Sequence, residues 1–375
     1  LRPIPFSHVT GWRSDDHARA FAAFRRSCPA AIRLLEQPRE EQAAGPERAA
    51  LASVCRQTIE RGKRRIGRTE ARHFFEHFFQ PHTIESSQPD RSGGGGLLTG
   101  YYEPHIEGSP VRSERFRVPL YRRPPDLVNV IAEDQRARSD VAYTHMRRTA
   151  AGLEPYPTRA AIEAGALAGQ DLELVWLGDP VEAFFAQIQG SARIRLPDGR
   201  RIGISYDGKN GHPYTSIGRV LIDRGAMPAD QVSMASLGAW LRADPVRGRE
   251  VMQQNASYVF FRAMRRDEGD SAVGALGTAL VPGRSLAVDT QFHALGSPIF
   301  VDAPRLRHWG RGAPFRRLMI AHDVGSAIRG SERGDIYFGS GEGAAARAGI
   351  TKHPGRFIVL LARSAEERRQ RRGPP

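Results

Sequence analysis

Cysteine is nearly absent from this 375-residue chain, which carries only Cys28 and Cys55. Two thiols cannot build a structural zinc site alone, and no histidine stands near them at ligand spacing. They are either a pair or two buried thiols. Cys28 follows Phe21 and Phe24 at helical spacing, and Cys55 shares a face with Leu51, Val54 and Thr58, so each suits a core position. Long apolar runs are missing too, and none approaches the roughly 20 residues that cross a bilayer. The chain opens LRPIPF, without Met or an apolar leader, as either a removed export signal or a shortened chain would. Repeats are absent. DGKNG, Asp207 to Gly211, lacks the acidic alternation of a calcium loop. GSGEGAAARAG, Gly339 to Gly349, lacks the GK[ST] of a phosphate cradle and reads as the lead into a short alanine-rich helix. No metal and no cofactor is expected.

Acidic residues are outnumbered, with 41 Asp and Glu against 55 Lys and Arg, for a formal charge of +14. Clustered positive charge suits nucleic acid, because it releases counterions from phosphates. Here the arginines are scattered. The two runs, Arg61 to Arg68 and Arg368 to Arg372, contain no interleaved aromatics, so a nucleic-acid partner is not expected. The same field would draw the protein to another anionic partner, and salt would screen it. Hydrophobic content of 40% with 26% charged residues is that of a folded globular chain, and its length exceeds one ordinary domain.

Residues 1 to about 83 read as mostly helical. Asp15 and Asp16 are placed to cap a first helix, and Thr69 opens a later one whose Phe74, Phe75, Phe78 and Phe79 form an apolar face before Pro81. Ser86 to Gly96, SSQPDRSGGGG, has the composition of a flexible loop. After Leu97 the texture turns β-rich. Strands are expected at Leu172 to Trp176, Phe184 to Ile188 and Ala192 to Leu196, and Pro197-Asp198-Gly199 signals a hairpin into Arg201 to Tyr206. Helices are expected at Ile217 to Arg224, behind Pro228, and behind Asp244-Pro245. Strands return from Ala279, and residues 364–375 read as a charged, frayed tail.

The chemistry concentrates near the end. LMIAHDVGSAIRGSERGDIY, Leu318 to Tyr337, sets Asp323 and Asp335 at the two ends of a glycine-rich turn, each beside an apolar strand-like run. Such a layout brings two carboxylates to the rim of a small barrel, where one can stay protonated and act as an acid. Asp289 opens DTQFHALGSPIFV shortly before. The sequence-only alternative for Asp335 is a turn-capping aspartate. His322 precedes Asp323, but on a strand the two side chains point apart, which argues against a His-Asp pair.

With LLTGYYEP, FFAQIQGSARI, ISYDGKNGHPYTSIGRVLIDRG and NASYVFFR preceding them in order, these segments make the chain, from about Leu97 to Leu361, resemble the membrane-bound lytic murein transglycosylase A family. The resemblance implies a mainly β fold with N-terminal helices (α+β). A double-psi β-barrel catalytic domain would be assembled from residues 1–104 and 243–363, a β-rich substrate-binding domain would occupy 105–242, and a glycan cleft would lie between them. It implies cleavage of the β-1,4 bond between N-acetylmuramic acid and N-acetylglucosamine, with a 1,6-anhydro product, Asp335 as acid and base, and Asp323 and Asp289 in support. A hydrolase on the same barrel, or a non-catalytic glycan-binding or wall-loosening protein, is the alternative.

Within the matched motifs, Tyr101, Tyr102, Tyr206 and Tyr214 offer flat surfaces for sugar rings. Thr99, Gln189, Ser191, Asn210 and Ser216 offer hydrogen bonds, and Lys209 a charge for peptidoglycan carboxylates. The implied compartment is the periplasm, with attachment to the outer membrane left open, and the implied protein is a monomeric enzyme acting on peptidoglycan strands. An oxidising compartment tilts the two cysteines toward a Cys28–Cys55 disulfide.

Overall fold

The computed structural model describes residues 1–37, 46–62, 64–85, 96–131, 143–265, 269, 271–310 and 312–370. The expected loop at Ser86 to Gly96 falls, up to residue 95, outside the described residues, as do residues 371–375 of the tail and one residue of the basic run at 61–68. The chain divides into two compact units, one of Leu1–Gly100, Val273–Gly339 and Thr351–Pro375, the other of Tyr101–Ala272 and Ser340–Ile350.

In the first unit three helices lead: α1 (His17–Glu36), α2 (Pro46–Glu60) and α3 (Arg68–Phe78). Asp16 caps α1 by accepting the Arg19 amide at 3.2 Å. Phe21 and Phe24 of α1 meet Phe74 and Phe75 of α3 mostly edge to face, which makes the expected aromatic face a core. Phe79 has already left the helix for the strand Phe79–Thr83, where Pro81 sits. Cys28 and Cys55 form a disulfide between α1 and α2, their Cα atoms 4.9 Å apart.

Asp15 does not cap. It is buried and gripped bidentately by Arg284, both contacts 2.7 Å, and it also accepts the Leu318 amide at 2.8 Å. The interaction fastens the entry to α1 onto the two strands that start at Ser285 and Phe315. With the guanidinium returning a bond to the Leu318 carbonyl, each charge is hydrogen-bonded as burial demands. Beside it His17 is buried against Trp12, and neither ring nitrogen has a hydrogen bond among the described residues. Burial pushes the His17 imidazole down to about 4, against the pull of Asp15.

The strands of this unit close on themselves. Pro298–Ala303 runs antiparallel to Phe315–Asp323, which lies parallel to Ser285–Val288. Ser285–Val288 pairs antiparallel with Gly334–Ser340, which lies beside Gly96–Glu103. The last strand, Lys352–Ala362, pairs with Gly96–Glu103 through its first residues and with Pro298–Ala303 further on. Six strands therefore form a ring without a free edge, the barrel architecture the resemblance implies. Phe79–Thr83 extends the sheet along the later half of Lys352–Ala362.

The second unit holds a six-stranded sheet, in the order Val259–Ala263, Arg201–Lys209, Ser191–Arg195, His105–Ser109, Glu173–Leu177 and Val118–Tyr121, and a separate three-stranded one. The Pro197-Asp198-Gly199 turn links Ser191–Arg195 to Arg201–Lys209 in an antiparallel hairpin, with Gly199 at φ 84° where a side chain would strain. The expected strand at Phe184 to Ile188 is instead the helix Pro180–Gln189. Asp179 caps it, Pro180 fits its first turn, and Gly190 ends it at φ 76°. Its short apolar run looks alike in either period, so the caps decide. The unit runs past residue 242 to Ala272, because Val259–Ala263 pairs with Arg201–Lys209 and Pro245–Gln253 contributes Val251 and Met252 to the core around Leu221 and Leu241.

Two outcomes follow for stability. Mutating both Cys28 and Cys55 to Ser should cost about 3 kcal/mol, from the chain entropy released over a 27-residue separation. Equal chemical-denaturation midpoints for parent and double variant would contradict this. His17 binds a proton less readily folded than unfolded, so its contribution is present above pH 6.5 and lost as pH falls from 6.5 toward about 4. Urea unfolding at pH 7 and pH 4.5 should show His17→Phe losing about 2 kcal/mol less than the parent on acidification, and equal losses would sink the assignment.

Candidate active site

Strand register brings two of the three aspartates together. Ala287, in the central strand Ser285–Val288, lies opposite Asp335 on one side and Asp323 on the other. Cross-strand neighbours project from the same face, so both carboxylates leave one face of the barrel wall with their Cα atoms about 10 Å apart, two strand spacings. A bulge makes this so. Between Leu286 and Ala287 the partner strand skips His322, which puts Asp323 opposite Ala287. His322 instead lies fully buried with Nδ1 2.7 Å from the Ser285 hydroxyl, and burial lowers its imidazole to about 3. It is neutral and no partner for Asp323.

Asp335 stands at the start of Gly334–Ser340, partly buried between Gly334 and Ile336. Its Oδ1 accepts the Thr99 hydroxyl at 2.7 Å. Burial raises its carboxyl above the usual range, and the Arg333 charge and the Thr99 hydrogen bond only partly oppose that. A carboxyl whose neutral form is favoured by burial has the character a general acid needs.

The other two aspartates are occupied with backbone. Asp323 Oδ1 accepts the amides of Ala275 and Val324, each at 2.9 Å, tying its strand end to the segment before the barrel. Asp289 is buried and accepts from Gln291 at 3.0 Å and Gly330 at 2.8 Å. It thereby joins the turn after Ser285–Val288 to the loop that leads into Asp335. His293 repeats that tie, with Nε2 2.6 Å from the Ser331 carbonyl oxygen.

The remaining candidates, Thr99 aside, belong to the second unit and have unequal prospects. Gln189 accepts the Tyr102 amide at 3.0 Å, so TGYYEP and AQIQGSARI do meet there. Tyr102, Tyr206 and Tyr214 are half-buried, with faces able to meet a sugar ring, whereas Tyr101 and Ser191 are buried. Burial raises the phenols of Tyr102 and Tyr214, which stay neutral hydrogen-bonding groups. Ser216 is exposed and caps Ile217–Asp223. Lys209 is buried. Asn210 calls for correction as a glycan contact: its Nδ2 donates to Pro157 and Ala256 carbonyls, both 2.8 Å, and its Oδ1 accepts the Tyr258 amide at 2.8 Å. A fully buried amide so committed holds chain segments together.

Arg333 was not legible as a site residue. Its Nη2 donates to Thr99 Oγ1 at 2.8 Å, and its Nη1 to the Gly334 carbonyl at 2.6 Å. Its position two residues before Asp335 was the one available signal. Glu103, in TGYYEP, was also passed over; it is fully buried, pairing with Arg193 at 3.0 Å and accepting from Ser340 at 2.6 Å. Among the described residues no cluster of histidine, cysteine and carboxylate side chains could hold a metal ion.

Residues 97–262 match the model described as the MltA specific insert domain, and residues 284–361 match the 3D domain. The chain is 36% identical over 273 residues to membrane-bound lytic murein transglycosylase A of Escherichia coli K12; the match covers 71% of this chain and 66% of the relative, just under two thirds of its length. Among solved structures it is similar to membrane-bound lytic murein transglycosylase from Agrobacterium tumefaciens, at 36% identity and a TM-score of 0.82 over 98% of this chain and 99% of that one. It is also similar to Escherichia coli MltA with bound chitohexaose, at 29% identity and a TM-score of 0.65 over 93% and 90%.

Asn210→Ala should therefore act on stability. The change strands two carbonyls and one amide in the core, at a cost of about 2 to 4 kcal/mol. Denaturant unfolding would detect it. An unchanged unfolding midpoint with weakened glycan binding would restore Asn210 as a ligand contact.

Proposed function

The chain belongs to the membrane-bound lytic murein transglycosylase A family, and we propose from this that it cleaves peptidoglycan strands between N-acetylmuramic acid and N-acetylglucosamine without using water. The observation that carries the reading is the raised carboxyl of Asp335, held on Thr99 at the barrel wall. Asp335 donates its proton to the glycosidic oxygen as the bond to the anomeric carbon breaks, and the departing N-acetylglucosamine keeps that proton. The C6 hydroxyl of the muramic sugar bonds to the anomeric carbon and returns its own proton to the Asp335 carboxylate. The product carries a 1,6-anhydro ring, and the acid is regenerated. One carboxyl serves both steps, where a hydrolase would employ a second to handle water.

Asp323 and Asp289 have supporting roles on this reading, since they accept backbone amides, Asp323 from Ala275 and Val324 and Asp289 from Gln291 and from Gly330 in the loop that leads into Asp335. The half-buried Tyr102, Gln189, Tyr206 and Tyr214 are the side chains to which we assign glycan contact. Bound chitohexaose in the similar Escherichia coli structure agrees with a saccharide ligand. We further assign the protein to the periplasm, where its substrate lies and where its net positive charge would favour the anionic wall. Among the described residues no helix is long and apolar enough to cross a membrane.

Digestion of purified sacculi followed by mass spectrometry should yield muropeptides with anhydro ends, lighter by one water than hydrolysis products. Asp335→Asn should lower the rate by about 10² to 10⁴-fold while the protein stays folded and retains glycan binding. Asp323→Asn should cost less activity and some stability. Reducing ends alone would identify a hydrolase, and sacculus binding without release of soluble products would identify a binding protein.

A further inference from the structure

Thr99 and Arg333 form a directed chain of hydrogen bonds that ends on Asp335. Arg333 Nη2 donates to Thr99 Oγ1 at 2.8 Å, and Thr99 Oγ1 donates to Asp335 Oδ1 at 2.7 Å. A guanidinium has no acceptor, so Arg333 can take part only as a donor. It fills a lone pair of the threonine oxygen and orients the hydroxyl. The proton of that hydroxyl then points at Oδ1, its acceptor among the described residues. An oxygen already accepting this bond is the poorer seat for the acid proton. That leaves Oδ2, which receives no hydrogen bond from the described residues.

We propose that Arg333 is a positioning residue that acts through Thr99 to hold the acid proton of Asp335 on Oδ2. Arg333 is itself held. Its Nη1 donates to the Gly334 carbonyl at 2.6 Å, which fixes the guanidinium against the backbone beside the residue it serves. Thr99 lies 236 residues from Asp335 in sequence and is kept in place by its pairing with Lys352. Without Arg333 the threonine hydroxyl can turn and accept a proton from Oδ1 instead, so the acid would divide its proton between a useful and an idle oxygen. Arg333 has a second, opposing effect: its charge favours the Asp335 carboxylate and tempers the rise that burial causes. The other carboxylate on this face, Asp323, stands on the far side of Ser285–Val288 and is engaged by two amides.

This inference rests on Asp335 being the acid, and the test separates the two. Turnover of soluble glycan strands across pH would be measured for Arg333→Met, Arg333→Gln, Thr99→Val, the Arg333→Met and Thr99→Val pair, and Asp335→Asn, each checked for an unchanged melting temperature. Arg333→Met should lower kcat about 10- to 100-fold with little change in KM. Loss of a nearby positive charge raises a carboxyl pKa, so the alkaline limb of its rate profile should move to higher pH. Arg333→Gln keeps an N–H donor without the charge. It should recover most of kcat and keep the displaced limb. The double variant should be no slower than the slower single one, because the residues act in series. Parental kcat and limb position in Arg333→Met, or losses that multiply in the double variant, would overturn the inference while an inactive Asp335→Asn left the acid assignment standing. A fully active Asp335→Asn would remove both.

Discussion

Closure of the barrel by one eleven-residue strand, Lys352–Ala362, is the constraint on which the rest of the first unit depends. Its first four residues pair with the strand at Gly96, and its middle pairs with Pro298–Ala303, so the chain's early and late parts become neighbours. That pairing sets Thr99 beside Asp335. It also gives every strand of the ring a hydrogen-bonded neighbour on each side, so the carboxyl is buried in a wall without an open edge strand. Asp15 and Arg284 reinforce the same ring, joining the start of α1 to two of its strands through a buried, bidentate ion pair.

The electrostatics of the site are a contest between burial and its partners. Desolvation favours the neutral Asp335, while the Arg333 charge and the Thr99 bond favour the carboxylate. Burial prevails, so the carboxyl is raised, but not without restraint. In the proposed mechanism one carboxyl gives a proton and then takes one back, and such a group benefits from neither form being strongly preferred. Loop order serves the same end. Asp289 and His293 both bind the loop of residues 325–333, at Gly330 and Ser331, and that loop delivers Arg333 and Asp335 to the wall.

Much of this could be read from the chain alone, because short-range chemistry announces itself. Asp16 before α1, the Pro197-Asp198-Gly199 hairpin and Asp244-Pro245 at the head of a helix are each settled within a few residues. The three aspartates stood out by their glycine-rich and apolar surroundings. The segment Phe184 to Ile188 misled, since five apolar-rich residues fit either period and the deciding caps, Asp179 and Gly190, lie outside it.

What the sequence determined by itself was the family, the identity of the acidic residues and the local elements that carry them. The tertiary structure alone decided their arrangement. It placed Asp335 and Asp323 on either side of Ala287 through a bulge at His322, and it committed Asn210 to backbone groups of two other segments. It also joined Arg333 to Thr99. The reason is physical: a hydrogen bond between residues more than two hundred positions apart leaves no periodicity in either segment. Burial, which raises one carboxyl while its neighbours bind amides, comes from the packed whole.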